Sequence, residues 1–130
     1  MQVVEYLHTA LLVTDLARAE QFYSVVLGLS KVDRVLKFPG IWYQIGPIQI
    51  HLIQADRVIN ELVDHKWGRN PHLALSVTNL EAAKERLLAH HCPIQVSASG
   101  RAALFTKDPD GNLIELSEVS SVEPSSQSQS

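Results

Sequence analysis

The chain has a single cysteine, Cys92, which excludes an intrachain disulfide and suits a reducing, cytoplasmic setting. No apolar run approaches the roughly 20 residues that cross a bilayer. The N-terminus lacks a charged segment leading into an apolar one, so no secretory signal is expected. A dominant charge is missing too. The 11 basic and 14 acidic residues are well mixed and give a net −3, with no basic stripe for nucleic acid and no polybasic patch for a membrane surface. No Ser-His-Asp order, phosphate loop or dinucleotide fingerprint occurs. What remains is 130 residues of 45% hydrophobic content, enough for one compact domain with a core.

What the chain does have is an internal repeat. Leu7-His8-Thr9-Ala10-Leu11-Leu12-Val13-Thr14-Asp15-Leu16 returns as Pro71-His72-Leu73-Ala74-Leu75-Ser76-Val77-Thr78-Asn79-Leu80, an offset of 64 from His8 to His72. The same offset carries Ile50-His51-Leu52 onto Ile114-Glu115-Leu116. Each half alone is marginal for independent folding, so paired modules are expected, at about 3–54 and 71–118, with a linker over 55–70.

Each module reads as strand, helix and three strands. In the first, a strand over 3–13 precedes a helix capped by Thr14 or Asp15, with Leu16, Ala19, Tyr23, Val26 and Leu27 at helical spacing and Gly28 as its stop. Strands are expected over 31–38, 41–45 and 48–54, with a turn at Gly46-Pro47. Residues 55–65 could form a short helix. In the second module a strand over 72–77 leads to a helix with a Thr78–Glu81 capping box, ending near His91-Cys92-Pro93. Strands over 94–98, 102–106 and 112–118 follow, the last two joined by an Asp108-Pro109-Asp110-Gly111 turn. The Ser- and Gln-rich tail over 119–130 has little to bury and is expected to be disordered.

Strand alternation sorts the chemistry. Leu73, Leu75 and Val77, like Ile50 with Leu52 and Ile114 with Leu116, form the faces on which helices dock. His8, His51, His72 and Glu115 fall on the opposite, concave side, beside the small Ala10, Ala74 and Ser76. One strand histidine is ordinarily structural; four ligand-type groups at corresponding places in two copies point to a metal. Three imidazoles and a carboxylate suit Fe, Mn, Co, Ni or Zn in the divalent state rather than calcium. Trp42, Tyr43, Gln49, Arg69 and Arg101 are candidates for lining the cup, and Tyr43, Gln49 and the two arginines for holding a substrate, the arginines through an anionic group. His65, His90, His91 and Cys92 read as structural or solvated.

These residues resemble the vicinal oxygen chelate superfamily of glyoxalases, extradiol dioxygenases and bleomycin resistance proteins. The resemblance covers about 4–118. It rests on the paired modules, on His8 followed by Phe22-Tyr23 and Leu27-Gly28-Leu29, and on Phe105-Thr106-Lys107-Asp108-Pro109-Asp110-Gly111-Asn112-Leu113-Ile114-Glu115. It implies an α+β fold in which two βαβββ modules form a curled mixed sheet around a metal-binding cup, helices outside, and commonly a homodimer. His8, His72 and Glu115 match the superfamily's His, His and Glu ligands. His51 stands where glyoxalase I has a glutamate and methylmalonyl-CoA epimerase a glutamine, so Glu115 is the only carboxylate of the glyoxalase proton shuttle. The expected activity is a metal-dependent, glyoxalase-like isomerase or lyase acting on a small substrate with adjacent oxygens. Proton transfer would pass through an enediolate, with Glu115 or His51 as base. Two alternatives stand beside it: an extradiol-type dioxygenase with Fe(II) on His8, His72 and Glu115, and a metal-free binding protein of the resistance type.

Overall fold

A computed structural model describes residues 1–34 and 37–119. The tail expected over 119–130 therefore lies, apart from Val119, outside the described residues, as do Val35 and Leu36 of the expected second strand. The chain forms two compact units: Met1–Glu61 with Asp108–Asn112, and Leu62–Lys107 with the chain from Leu113 onward.

The first unit contains β1 (His8–Val13), α1 (Leu16–Glu20), a π-helical turn (Gln21–Val26), β2 (Ser30–Val32), β3 (Gly40–Ile45) and β4 (Ile48–Gln54). The second contains a 3-10 turn (Trp67–Arg69), β5 (Leu73–Val77), α2 (Leu80–Ala89), β6 (Ile94–Val96), β7 (Ala103–Lys107) and β8 (Leu113–Glu118). The α+β architecture of two βαβββ modules is therefore present, each module building its own four-stranded mixed sheet. The strand orders are β1-β4-β3-β2 and β5-β8-β7-β6, so the two sheets have one topology.

The repeat extends to register. Thr9 pairs Ile50 and Ala10 pairs His51 in parallel; at the same offset Leu73 pairs Ile114 and Ala74 pairs Glu115. Caps repeat as well. Asp15 accepts from the Arg18 amide at 3.1 Å, and its counterpart Asn79 accepts from the Ala82 amide at 2.9 Å. The cap of α2 is thus Asn79 and not the expected Thr78–Glu81 box, because Asn79 holds the extended backbone a cap requires. α2 is capped at its C-terminus by His90 and followed by His91, whose φ of 60° takes the left-handed turn, while the Cys92 amide reaches back to the Leu87 carbonyl.

The first helix is not regular throughout. The Leu27 amide donates to the Phe22 carbonyl, five residues back, which marks a π-turn. Phe22, Tyr23 and Val26 of this turn are buried. The Tyr23 ring lies 5.9 Å from Tyr43 of β3, and the Ser24 hydroxyl is 2.8 Å from that of Tyr43. Tyr23 also donates to Asp108 Oδ2 at 2.7 Å, tying the helix to the 108–112 turn.

Three expected elements differ. β1 begins at His8 rather than residue 3, and β2 ends at Val32 rather than 38. No helix forms over 55–65. A single buried side chain orders the chain over 63–67: Asn70 Oδ1 accepts from the amides of Val63 and Asp64, and its Nδ2 donates to the carbonyls of Asp64, Lys66 and Trp67. The stretch carries apolar residues at helical spacing, Ala55, Val58, Ile59 and Leu62, yet Ile59 and Leu62 stay exposed, and the Asn70 bonds hold the backbone at its C-terminal end in a non-helical path.

Candidate metal centre

The four ligand-type residues stand as two pairs, one inside each unit. In the second unit His72 precedes β5 and Glu115 lies on β8. His72 Nδ1 is 2.7 Å from the Asn70 carbonyl, which can only accept, so Nδ1 bears a proton. His72 Nε2 then faces Glu115 Oε1 at 3.1 Å, and either a second proton or a metal ion must lie there. Two neighbouring donors on an octahedral ion with bonds of about 2.1 Å sit roughly 3.0 Å apart, so the pair already has a fitting separation. A backbone carbonyl on the far nitrogen is also how ligand histidines are commonly oriented.

Glu115 is held tightly. Its side chain is 9% exposed, and Oε2 accepts from Arg101 Nη2 at 3.0 Å and from Ser117 Oγ at 2.8 Å. Burial pushes its pKa up; Ser117, Arg101 and His72 more than reverse this, so the carboxyl titrates below its ordinary value. Phe105, opposite Glu115 in the β7–β8 register, meets the His72 ring in a T-shaped contact with ring centres 5.4 Å apart. Phe105 is backed by Gly68, where an added Cβ would lie 2.7 Å from Phe105 Cζ. Gly68→Ala is expected to destabilise by about 1–3 kcal/mol through overpacking, read as a lower urea midpoint at unchanged slope.

In the first unit His8 and His51 meet face to face, ring centres 4.0 Å apart and 16° from parallel. Trp42 stacks on His51 at 4.1 Å, with the Arg34 guanidinium 5.9 Å from the Trp42 ring. Lone pairs in two stacked planes do not intersect, so chelation by both imidazoles requires one ring to turn. His51 Nε2 is engaged at 2.8 Å by Gln49 Oε1, whose amide donates on to Gln44. Burial lowers the His51 pKa, and His8 and Arg34 lower it further, so the ring is neutral at pH 7. Among the described residues no three His, Cys, Asp or Glu side chains gather to hold a metal ion.

The residues expected to hold substrate divide. Gln49 shares the His51 face and orients that ring. Tyr43 is displaced from the site: it pairs Ile50 on the helix side of the sheet and is 0% exposed. Ile45 pairs Ile48 across the Gly46-Pro47 turn, and that register puts Trp42, not Tyr43, opposite His51. Trp42, a candidate from sequence for lining the cup, is thus the aromatic that reaches the His51 face. Arg69 lies 3.6 Å from Asp64 on the exposed 3-10 turn, and Arg101 is engaged by Glu115.

Twin βαβββ modules that present a His–His and a His–carboxylate pair at matching places define a class of duplicated small-molecule proteins. A family profile described as the Glyoxalase/Bleomycin resistance protein/Dioxygenase superfamily matches residues 5–116, and the chain belongs to this superfamily. It is 32% identical to a lactoylglutathione lyase of Salmonella typhimurium over 126 residues, covering 87% of this chain and 91% of that enzyme. It is 27% identical to the mitochondrial methylmalonyl-CoA epimerase of Mus musculus, over 86% of this chain and 71% of that one. A genomically encoded fosfomycin resistance protein from Listeria monocytogenes shares the fold with a TM-score of 0.75 at 15% identity, over 92% of this chain and 94% of the other. No helix among the described residues is long and apolar enough to cross a membrane.

Proposed function

We propose that this chain is a metal-dependent lyase or isomerase of the glyoxalase type, taking a small substrate through two adjacent oxygens, with His8, His51, His72 and Glu115 as ligands. One observation supports it most. The Asn70 carbonyl fixes His72 so that Nε2 and Glu115 Oε1 are offered together, 3.1 Å apart. A divalent cation bound there would supply a Lewis acid that draws charge from both substrate oxygens. The chain's own part is to orient groups and move a proton. With Nε2–H donated to Gln49, the His51 lone pair is on Nδ1, the atom free to meet the ion or to take a substrate proton.

The stacked, Gln49-bound position of His51 favours a second reading. If His51 stays between His8 and Trp42, then His8, His72 and Glu115 alone make the two-His-one-carboxylate set of Fe(II) oxygenases. Metal analysis of the purified protein, followed by two assays, separates them. Likeness to a lactoylglutathione lyase directs the first assay to the glutathione hemithioacetal of methylglyoxal, and the second is oxygen uptake with catechols. Stoichiometric nickel or zinc with hemithioacetal turnover supports the isomerase. Iron with oxygen uptake supports the dioxygenase. A protein that retains no divalent metal and binds none on titration overturns both, and leaves the metal-free binder.

A further inference from the structure

We propose that Arg101 and Ser117 are positioning residues that fix Glu115 as a one-oxygen metal ligand. The inference rests on the metal reading above and concerns how the carboxylate would take the ion. The two oxygens of Glu115 have separate surroundings. Oε2 accepts from Arg101 Nη2 at 3.0 Å and Ser117 Oγ at 2.8 Å, which occupies both of its in-plane lone pairs. Oε1 faces only His72 Nε2 among the described contacts. Two-oxygen chelation would strip Oε2 of two hydrogen bonds, one of them charge-assisted, so the arrangement reserves Oε1 for the ion.

Both donors are themselves held. Ser117 stands two residues after Glu115 on β8, on the same face of the strand. Arg101 is tethered ahead of β7: its Nε donates to Ser99 Oγ at 3.2 Å, and its carbonyl accepts from the Ala103 amide at 2.8 Å. The repeat supplies an internal contrast. At the offset of 64 the counterpart of Ser117 is Ile53, an apolar residue two beyond His51. The hydroxyl arm of the clamp is thus present in the half that has a carboxylate and absent from the half that has an imidazole, while the counterpart of Arg101 is Lys37, which keeps a cation but not the planar fork. The Arg101 side chain is 55% exposed, so its removal opens no cavity in the core.

The test uses the full-length apo protein and Co²⁺, titrated against a competing chelator and followed by visible absorption. Relative to wild type, the Arg101→Met/Ser117→Ala double variant is expected to bind Co²⁺ roughly 10- to 100-fold more weakly. Its ligand-field bands should shift as the freed Oε2 joins the coordination, with the apo thermal midpoint within a few degrees of wild type. Arg101→Lys, which keeps the charge but not the planar fork, should recover part of the affinity. Wild-type binding with unchanged affinity and spectrum in the double variant overturns the positioning role and leaves the metal site standing. A wild-type protein that binds no Co²⁺ overturns the metal reading itself, and the positioning role with it.

Discussion

His72→Ala is expected to abolish the divalent-metal binding proposed for this chain while leaving the protein folded. The substitution removes a donor whose tautomer is set by the Asn70 carbonyl at 2.7 Å, and takes from Glu115 Oε1 its partner among the described residues. Loss of an outer-shell partner weakens metal binding by roughly 10- to 100-fold, and loss of a ligand itself should exceed that. The ring is partly exposed and, besides its bonds to Asn70 and Glu115, makes a T-shaped contact to Phe105, so the loss of stability should stay at about 1–2 kcal/mol. Metal content by mass spectrometry, alongside the circular dichroism melt, separates the two effects. Unchanged metal content in the variant would remove His72 from the site. His51→Ala then sorts the two functional readings: a comparable loss fits a four-ligand lyase, and retained iron fits a three-ligand oxygenase.

The second large effect concerns folding. Asp108→Ala should destabilise by on the order of 3 kcal/mol or more. The residue is 4% exposed, and its carboxylate satisfies four donors. Oδ1 accepts from the amides of Asp110 and Asn112, and Oδ2 from the Tyr23 hydroxyl and the Asn112 side chain, at 2.7 to 2.9 Å. Alanine leaves all four in need of new partners. Burial raises the Tyr23 pKa well above its ordinary value, and the neighbouring Asp108 raises it further, so the phenol is a neutral donor throughout the useful pH range. Tyr23→Phe removes a single bond and should lose about 1 kcal/mol, a minor part of the Asp108→Ala effect. Urea denaturation of both variants checks the ratio; equal losses would show that the Tyr23 bond dominates the knot.

The fold was legible because the repeat is legible. In β1 and β4 against β5 and β8, residues 64 apart hold the same register, and Asp15 and Asn79 the same cap, so Thr9 on Ile50 foretells Leu73 on Ile114. The sidedness of His8, His51, His72 and Glu115 followed from alternation alone. What failed was whatever alternation along one strand cannot settle. Placing Tyr43 beside His51 required the pairing across Gly46-Pro47, and a two-residue turn there puts Tyr43 opposite Ile50. The Asn70 knot has no periodicity to announce it; a lone buried amide gathering five backbone groups looks in sequence like any loop asparagine. The face-to-face histidines depend on side-chain torsions, which spacing does not constrain.

The π-turn makes the first helix tolerant of one change in length. A turn closed by a bond five residues back holds one residue more than an α-turn, so excising one residue between Gln21 and Val26 would let ordinary winding resume with the flanking segments still in phase. Removing Ser24 would spare Phe22, Tyr23 and Val26, the buried residues of the turn, and with them the phenol that reaches Asp108. The same cut within Leu16–Glu20 has no surplus residue to absorb it and would turn the Asp15 cap by about 100° away from its place.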